Sequence, residues 1–251
     1  MSDHMSIEDY LAQGGKLTSP GNVPARYRGE LLRLMASFID SELAGAAGFA
    51  DTINDAPGIR NRIAAAKITR EKLDHAGRVL AVMGEFGADM ARYDNRHDWA
   101  ARLARDADLG AARHGDDMRL SVFHYPLEGY VDAVVMNVLM GTATAVHLDE
   151  MTRMSYAPLA DVFREIAPQE ARHVELGLNG LRQIVASDTG RKDALAAIAY
   201  WQPRVADSFG QSASKRFGVL QRFGLRHSEN EKLRELWAQR VRDLLAPLGL
   251  V

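Results

Sequence analysis

The sequence has no cysteine, which excludes disulfide bonds, thiolate metal ligands and cysteine nucleophiles. It also lacks an excess of charge of either sign: the formal net charge is -2, so no global attraction to nucleic acid or to an anionic membrane is expected. No run reaches the roughly 18 apolar residues of a membrane span, and the N-terminus lacks a signal-peptide core. We therefore expect a cytoplasmic protein with no nucleic-acid or membrane partner.

The apolar residues that are present follow a helical period, and strand-like alternation is nearly absent. Hydrophobic residues make up 47% of the chain, which is ordinary for a globular protein. We predict an all-α fold in which an irregular N-terminal arm (residues 1–24) precedes a single helical domain (residues 25–251). Whether the residues before Met5 belong to the natural chain or are an added remnant is left open.

Turn residues divide the domain into helices. Long helices are predicted over residues 25–54, 59–87 and 126–154, and a fourth follows the turn SYAP (155–158) and runs to residue 187. Pro126 is expected in the first turn of the third helix. A short helix is predicted around residues 99–105, and later helices over 192–217, with a kink at Pro203, and 229–245. The pattern indicates a four-helix bundle with additional C-terminal helices.

Several polar side chains fall on apolar helix faces when successive residues are placed about 100° apart. Glu42 lies in the middle of the apolar stripe of the first long helix. His173, with Glu170 beside it, lies near the centre of the stripe of the fourth, and His75 lies in the apolar face of the second. An isolated buried carboxylate is costly, so these groups must be protonated, paired or bound to a cation.

His75 is preceded on its helix by Glu71 and Lys72. In ferritin-like carboxylate-bridged sites, two helices each supply one glutamate and two supply Glu-x-x-His. The glutamates neutralise two iron ions, and the imidazoles complete the coordination. A buried polar network without metal is the alternative, and the residues leave both open. The candidate metal ligands are Glu42, Glu71, His75, Glu170 and His173.

The third long helix does not complete this pattern. Its run VDAVVMNVLMGTATAV is deeply apolar, and Asn137 and Thr144, which share the face of Gly141, are poor bridging ligands. We interpret His147 on the same helix as a core or interface histidine. The third helix therefore offers no carboxylate to a metal site.

Three segments resemble the phenylacetyl-CoA epoxidase family, which comprises a ferritin-like oxygenase subunit with its non-catalytic structural partner. DSELAG (40–45) is similar to the first-helix ligand segment of that family. APGIRNRIAAAKITREKLDH (56–75) is similar to the second-helix segment, and MSYAPLADVFREIAPQEARH (154–173) to the third-to-fourth turn and the second Glu-x-x-His. The resemblance implies a ferritin-like four-helix bundle.

The resemblance also implies a set of iron-ligand positions, of which two are changed in this chain. Lys72 stands where the family has a glutamate, and Gly141 stands where it has an aspartate. Both changed positions were carboxylates. The positions that are retained are Glu42, His75, Glu170 and His173.

The function that we predict from the sequence is that of a non-haem iron oxygenase that resembles the aryl-CoA epoxidases, an oxidoreductase of phenylacetate catabolism. The candidate ligands would bind one or two iron ions, Lys72 would act as a nearby cation or proton donor, and an external reductase would supply electrons. A small-molecule substrate, for which an acyl-CoA is a candidate, would bind in a pocket near Gly141, Gly177 and Gly180. The arginines considered for CoA phosphates are Arg105, Arg113 and Arg119, although a solvated basic surface is the simpler interpretation.

The second hypothesis is a metal-free structural or binding subunit in which Lys72 replaces the metal charge and pairs with Glu42 or Glu170. The apolar extent of the third helix indicates association as a homodimer or a hetero-oligomer, for example with a homologous subunit. A third option, a metal-storage or peroxide-consuming ferritin-like protein, is disfavoured by the resemblance.

Overall fold

The structure is a computed structural model that describes residues 5–251, so the start of the arm and the residues before Met5 lie outside the described residues. The described residues form helices and loops, with no β-strand beyond an isolated bridge between Leu17 and Tyr156. The all-α prediction is confirmed. The helices are α1 (Ile7–Ala12), α2 (Ala25–Asp51), α3 (Gly58–Gly84), α4 (Ala91–Asp94), α5 (Gly129–Met151), α6 (Ala157–Ile184), α7 (Asp188–Asp207), α8 (Phe217–Arg222) and α9 (Asn230–Leu245).

Two helical hairpins form a four-helix bundle. α2 packs along α3, α5 packs along α6, and α3 contacts α6 to close the bundle. Leu31, Met35 and Ile39 from the predicted stripe of α2 are fully buried in it. Since helix faces are set by the 3.6-residue period, the same packing turns the polar residues of these stripes inward. The fold is the predicted ferritin-like bundle.

α5 is apolar on all sides because the C-terminal helices cover the face that the bundle leaves open. α7 and α9 both pack on α5. Trp201 and Trp237 are buried in this layer, and Trp237 Nε1 donates to Leu139 O at 3.0 Å. By length and composition α5 could cross a membrane, but its apolar window is 78% buried inside the protein. It is the core helix of the molecule.

The predicted short helix around residues 99–105 is wrong. The backbone carbonyls of Asp98, Trp99 and Ala101 accept hydrogen bonds from the side chains of Arg102 and Arg119. These carbonyls are therefore directed at guanidinium groups and not along a helix axis. The nearest helix is α4, residues 91–94.

Two further differences between the predicted and the observed helix bounds result from glycines with a left-handed backbone conformation. α5 begins at Gly129 and not at Pro126, because Gly129 has φ +84°, which separates the proline from the helix. The predicted helix over 192–217 is divided: α7 continues through Pro203 but ends before Gly210, which also has φ +84°, and α8 forms separately. Neither conformation can be read from apolar periodicity.

The N-terminal arm contains more regular structure than predicted. Ser6 Oγ accepts a hydrogen bond from Asp9 N at 3.1 Å and caps the start of α1. Leu17 N donates to Ser155 O at 2.8 Å, which ties the arm to the turn before α6. The division into an arm and a single domain stays a prediction.

The long connection between α4 and α5 is held by a buried carboxylate. Asp117 accepts hydrogen bonds from Arg119 Nη2 at 2.6 Å and from His97 Nε2 at 2.9 Å. Burial alone would raise the pKa of Asp117, but the bonds from Arg119 and His97 outweigh it and lower the pKa to about 2. This carboxylate therefore stabilises the fold only while it is ionised.

Asp117→Asn is expected to lower the free energy of unfolding by about 2 to 3 kcal/mol near neutral pH, because the ordinary aspartate pKa is about 3.9 and each pKa unit corresponds to about 1.4 kcal/mol. The contribution is present above the unfolded-state pKa and disappears as pH falls from about 4 to 2. Urea unfolding at pH 7 and pH 3 measures it, and roughly half of the difference from wild type should be gone at pH 3.

The matched control is Asp116→Asn, a neighbouring exposed aspartate. An equal loss in both variants, or a difference from wild type that is the same at pH 7 and pH 3, would contradict the assignment to the Asp117 ion pair.

Candidate functional site

Five polar residues that the sequence singled out converge between α2, α3 and α6. Glu42 comes from the middle of α2, Lys72 and His75 from α3, and Glu170 and His173 from α6. All five are buried. The bundle therefore assembles these side chains as the apolar stripes predicted.

The Lys72 ammonium lies between two carboxylates. Its Nζ is 3.0 Å from Glu42 Oε1 and 3.1 Å from Glu170 Oε1, and it also donates to Glu170 Oε2 at 3.4 Å. Burial alone would lower the pKa of Lys72, but the attraction of Glu170 and Glu42 outweighs burial and holds the pKa above its ordinary value. The opposing charge of Lys72 in turn holds the pKa of Glu170 well below its usual range against the effect of burial. The lysine is thus charged, and it bridges both carboxylates.

His75 is the second cation of this group. Its Nδ1 lies 3.0 Å from Glu170 Oε1 and 3.2 Å from Glu42 Oε2, and its Nε2 lies 3.2 Å from Gln169 Oε1. Burial opposes the charged form, but hydrogen bonds to Glu170 and Glu42 raise the pKa of His75 to about 9. At neutral pH the imidazolium can donate from both nitrogens. We call Glu42, Lys72, His75 and Glu170 the buried quartet.

His173 and Glu71 form a second pair at the rim of the quartet. His173 Nε2 lies 2.8 Å from Glu71 Oε2, and the His173 ring stacks on His75 with centroids 5.8 Å apart. Burial would raise the pKa of Glu71, but the hydrogen bond from His173 and the nearby cations Lys67 and Arg70 lower it. His173 Nδ1 is 3.3 Å from Glu170 Oε1 without hydrogen-bond geometry, and it has no other partner among residues 5–251. Glu71 is therefore linked to the buried quartet through its hydrogen bond with His173.

Gly141, where the family has an aspartate ligand, is packed closely against α6. A Cβ added at Gly141 would lie 2.8 Å from Val174 Cγ2, which is closer than real Cβ contacts. On the same helix, Asn137 Nδ2 donates to His173 O at 2.8 Å. α5 thus approaches α6 too closely for a carboxylate-bearing residue at 141 unless Val174 moves.

The predicted pocket near Gly141, Gly177 and Gly180 is wrong for the same reason. A Cβ at Gly177 would lie 2.5 Å from Asn137 Nδ2, and a Cβ at Gly180 would lie 2.9 Å from the Tyr130 hydroxyl. These glycines allow the two helices to pack closely and leave no space for a ligand.

A cavity of about 710 Å³ lies elsewhere, between α2, the connection before α5, the end of α5 and the segment from α7 to α8. Glu42 forms part of its wall, so the buried quartet borders it. Sequence reasoning missed this cavity, because the α7–α8 segment carries no local signal that it faces α5. Its apolar wall includes Leu34, Phe38, Phe123, Met140, Leu148 and Phe209.

Of the three arginines considered for CoA phosphates, only Arg113 lines the cavity. Arg105 is paired with Asp132, with Nη2 at 2.8 Å from Oδ1, and Arg119 is paired with Asp117. Arg105 and Arg119 therefore have structural partners.

The donor set fits one metal ion better than two. Glu42, His75 and Glu170 each offer a ligand atom, and these atoms lie within 4.8 Å of one another. A two-iron site needs further carboxylates, but position 72 carries a cation and position 141 has no side chain. The arrangement can therefore hold a single cation only if Lys72 withdraws from the carboxylates.

Comparisons with known proteins agree with this architecture. A model of the family described as Phenylacetic acid catabolic protein matches residues 15–251. A curated relative from Escherichia coli (strain K12), one of the subunits of 1,2-phenylacetyl-CoA epoxidase, is 21% identical over 258 residues, which cover 100% of this chain and 77% of that protein. The family resemblance drawn from the sequence is confirmed, and the chain belongs to the phenylacetic acid catabolic protein family.

Proposed function

We propose that this chain is a metal-free, cytoplasmic subunit that serves a structural or ligand-binding role beside an iron-bearing homologue. The observation that carries the proposal is the position of Lys72 Nζ, 3.0 Å from Glu42 Oε1 and 3.1 Å from Glu170 Oε1. Two buried carboxylates require a cation, and the ammonium group meets that requirement from within the chain.

Charge balance supports the proposal. Glu42 and Glu170 bring two negative charges to the buried quartet, and Lys72 and His75 bring two positive charges. Two ferrous ions would add four positive charges where the chain has lost two carboxylate positions. Since an uncompensated buried charge costs several kcal/mol, a two-iron state is strongly disfavoured.

The name of the relative supports a role in an assembly. The Escherichia coli protein is described as one subunit of an epoxidase. In this proposal the partner of our chain is a homologous family member with a complete set of iron ligands. Oxygen activation, and the reductase that it requires, then belong to that partner.

Lys72→Met is expected to lower the free energy of unfolding by about 3–5 kcal/mol, because it leaves Glu42 and Glu170 buried beside each other without the bridging ammonium. Chemical denaturation at pH 7 measures the loss. The matched control is Lys67→Met, five residues earlier on α3, whose side chain is 44% exposed and which should change stability by less than about 0.5 kcal/mol.

A double variant tests the charge argument directly. Adding Glu170→Gln to Lys72→Met removes one of the unpaired charges and should recover part of the loss, giving a coupling energy of at least about 1 kcal/mol. Strictly additive losses would mean that the two groups are independent and that Lys72 does not neutralise Glu170.

A measurement of bound iron distinguishes a metal-free subunit from an oxygenase. After anaerobic incubation with ferrous iron and gel filtration, the wild-type protein is expected to retain no stoichiometric iron by elemental analysis. Lys72→Glu restores a carboxylate and removes the ammonium, so it should retain more iron than Lys67→Glu, the matched change at an exposed position. One or more irons per wild-type chain, lost in the Glu170→Ala, His173→Ala double variant, would contradict the proposal.

The proposed subunit role also predicts that this chain binds an iron-bearing homologue. Size-exclusion chromatography of this chain mixed with an iron-binding family member from the same source should give a joint peak of larger mass than either protein alone. Separate elution of the two proteins at micromolar concentration would count against the subunit role.

A single-iron oxygenase is the second candidate, favoured by two observations. Glu42, His75 and Glu170 offer converging ligand atoms, and the buried His173 Nδ1 lacks a hydrogen-bond partner among the described residues. Bound iron would supply oxygen activation, and a reductase would supply electrons. Lys72 would then be the neighbouring cation, and an acyl-CoA substrate would approach through the cavity that Glu42 borders. The iron measurement decides between the two candidates.

A further inference from the structure

The cavity has a second polar region that is separate from the buried quartet. His147 from α5 and Arg226 from the segment after α8 both line it, together with Asn230 and Asp207. Neither His147 nor Arg226 belongs to the group of carboxylates and imidazoles at the centre of the bundle. Polar groups that line a cavity form hydrogen bonds with water or with a bound ligand.

His147 lines the cavity and has no hydrogen-bond partner among the described residues. Its ring stacks on Phe209, with centroids 4.7 Å apart and planes at 28°, and it makes no hydrogen bond to any residue in the range 5–251. Burial and the nearby Arg226 lower the pKa of His147 to about 3, although Glu150 acts in the opposite direction. The ring is therefore neutral near pH 7 and offers one N–H donor and one acceptor.

Arg226 keeps unused hydrogen-bonding capacity. Its Nη2 donates to Asn230 Oδ1 at 3.1 Å and to Ser228 O at 3.4 Å, while its buried Nε has no hydrogen-bond partner in the described chain. Glu150 Oε2 is 3.9 Å from that Nε, and it accepts instead from the backbone N–H groups of His227 and Ser228. The guanidinium charge is therefore only partly compensated.

The remaining charges of the cavity favour an anion. Arg33, Arg113 and Lys215 line it without a carboxylate partner in the described residues. Two further groups are already neutralised, since Arg216 pairs with Glu30 and Glu42 pairs with Lys72. Asp207 is the remaining acid of the wall. The cations thus outnumber the acids, and the rest of the wall is largely apolar.

We propose that His147 and Arg226 form an oxyanion site inside the cavity, which binds the carboxylate of an apolar organic acid with a medium-length alkyl or aryl chain. A carboxylate can accept from the guanidinium and from the imidazole N–H together, an arrangement in which charge-assisted bonds are strong. The chain of the acid then lies against the apolar wall, next to Phe209. This site does not depend on whether the buried quartet holds a metal.

Isothermal titration of chelator-treated full-length protein tests the site with octanoate, octan-1-ol and octanoyl-CoA as probes. Octanoate is expected to bind at least about tenfold more tightly than octan-1-ol, because only the acid offers an anion to Arg226. Arg226→Gln keeps a hydrogen-bonding side chain and His147→Leu keeps apolar volume. Each should reduce the preference for octanoate about tenfold or more.

Lys192→Gln is the matched control, since it removes an exposed cation of α7 that does not line the cavity. It should leave octanoate affinity within about twofold of wild type. The proposal is overturned if octanoate and octan-1-ol bind equally, if Lys192→Gln removes the preference, or if only octanoyl-CoA binds. If Arg226→Gln fails to fold, the affinities of the wild-type protein for octanoate and octan-1-ol still test the proposal.

Discussion

The Lys72 ammonium is the group on which the centre of the bundle depends. It joins Glu42 of α2 to Glu170 of α6 through α3, at 3.0 and 3.1 Å. Three helices therefore meet at charges that are mutually compensated. Removing one partner of such a buried ion pair leaves the other charge without compensation, and this lowers the free energy of unfolding strongly. The complete pair, by contrast, adds little net stability, because its attraction only offsets the cost of desolvating the charges. The charges are therefore compensated only when the three helices are packed in this register.

Close packing of α5 on α6 is the second constraint, and it opposes a larger side chain at position 141. The glycines at 141, 177 and 180 lie where a Cβ would meet Val174, Asn137 or Tyr130 at less than 3.0 Å. A carboxylate-bearing residue at position 141 would require the Val174 side chain to move, next to the bond from Asn137 to His173 O. The loss of the aspartate position and the close approach of the helices are therefore parts of one arrangement.

The sequence predicted most of the bundle, because apolar periodicity reports directly which faces are buried. It placed Glu42, His75, Glu170 and His173 together for the same reason, and Lys72 between the two carboxylates was one of the two alternatives it left open. It failed where tertiary contacts decide the structure. Gly177 and Gly180 have no side chain, so the sequence cannot distinguish a pocket from close helix contact. Arg226 lies in a segment without periodicity, and nothing local indicates that it lines the same cavity as His147.

The two polar regions of the cavity differ in what they can offer a ligand. Each oxygen of Glu42 already has a cationic partner, Oε1 with Lys72 and Oε2 with His75. That part of the wall is therefore neutralised, and the Phe123 ring near Lys72 is apolar. Arg226 retains partly uncompensated charge at the other region. An amphiphilic anion is consequently oriented by the cavity itself, with its apolar end toward the quartet and its charge toward Arg226. The quartet then contributes a wall whose charges are already compensated, and His147 of α5 and Arg226 of the segment after α8 bind the anion.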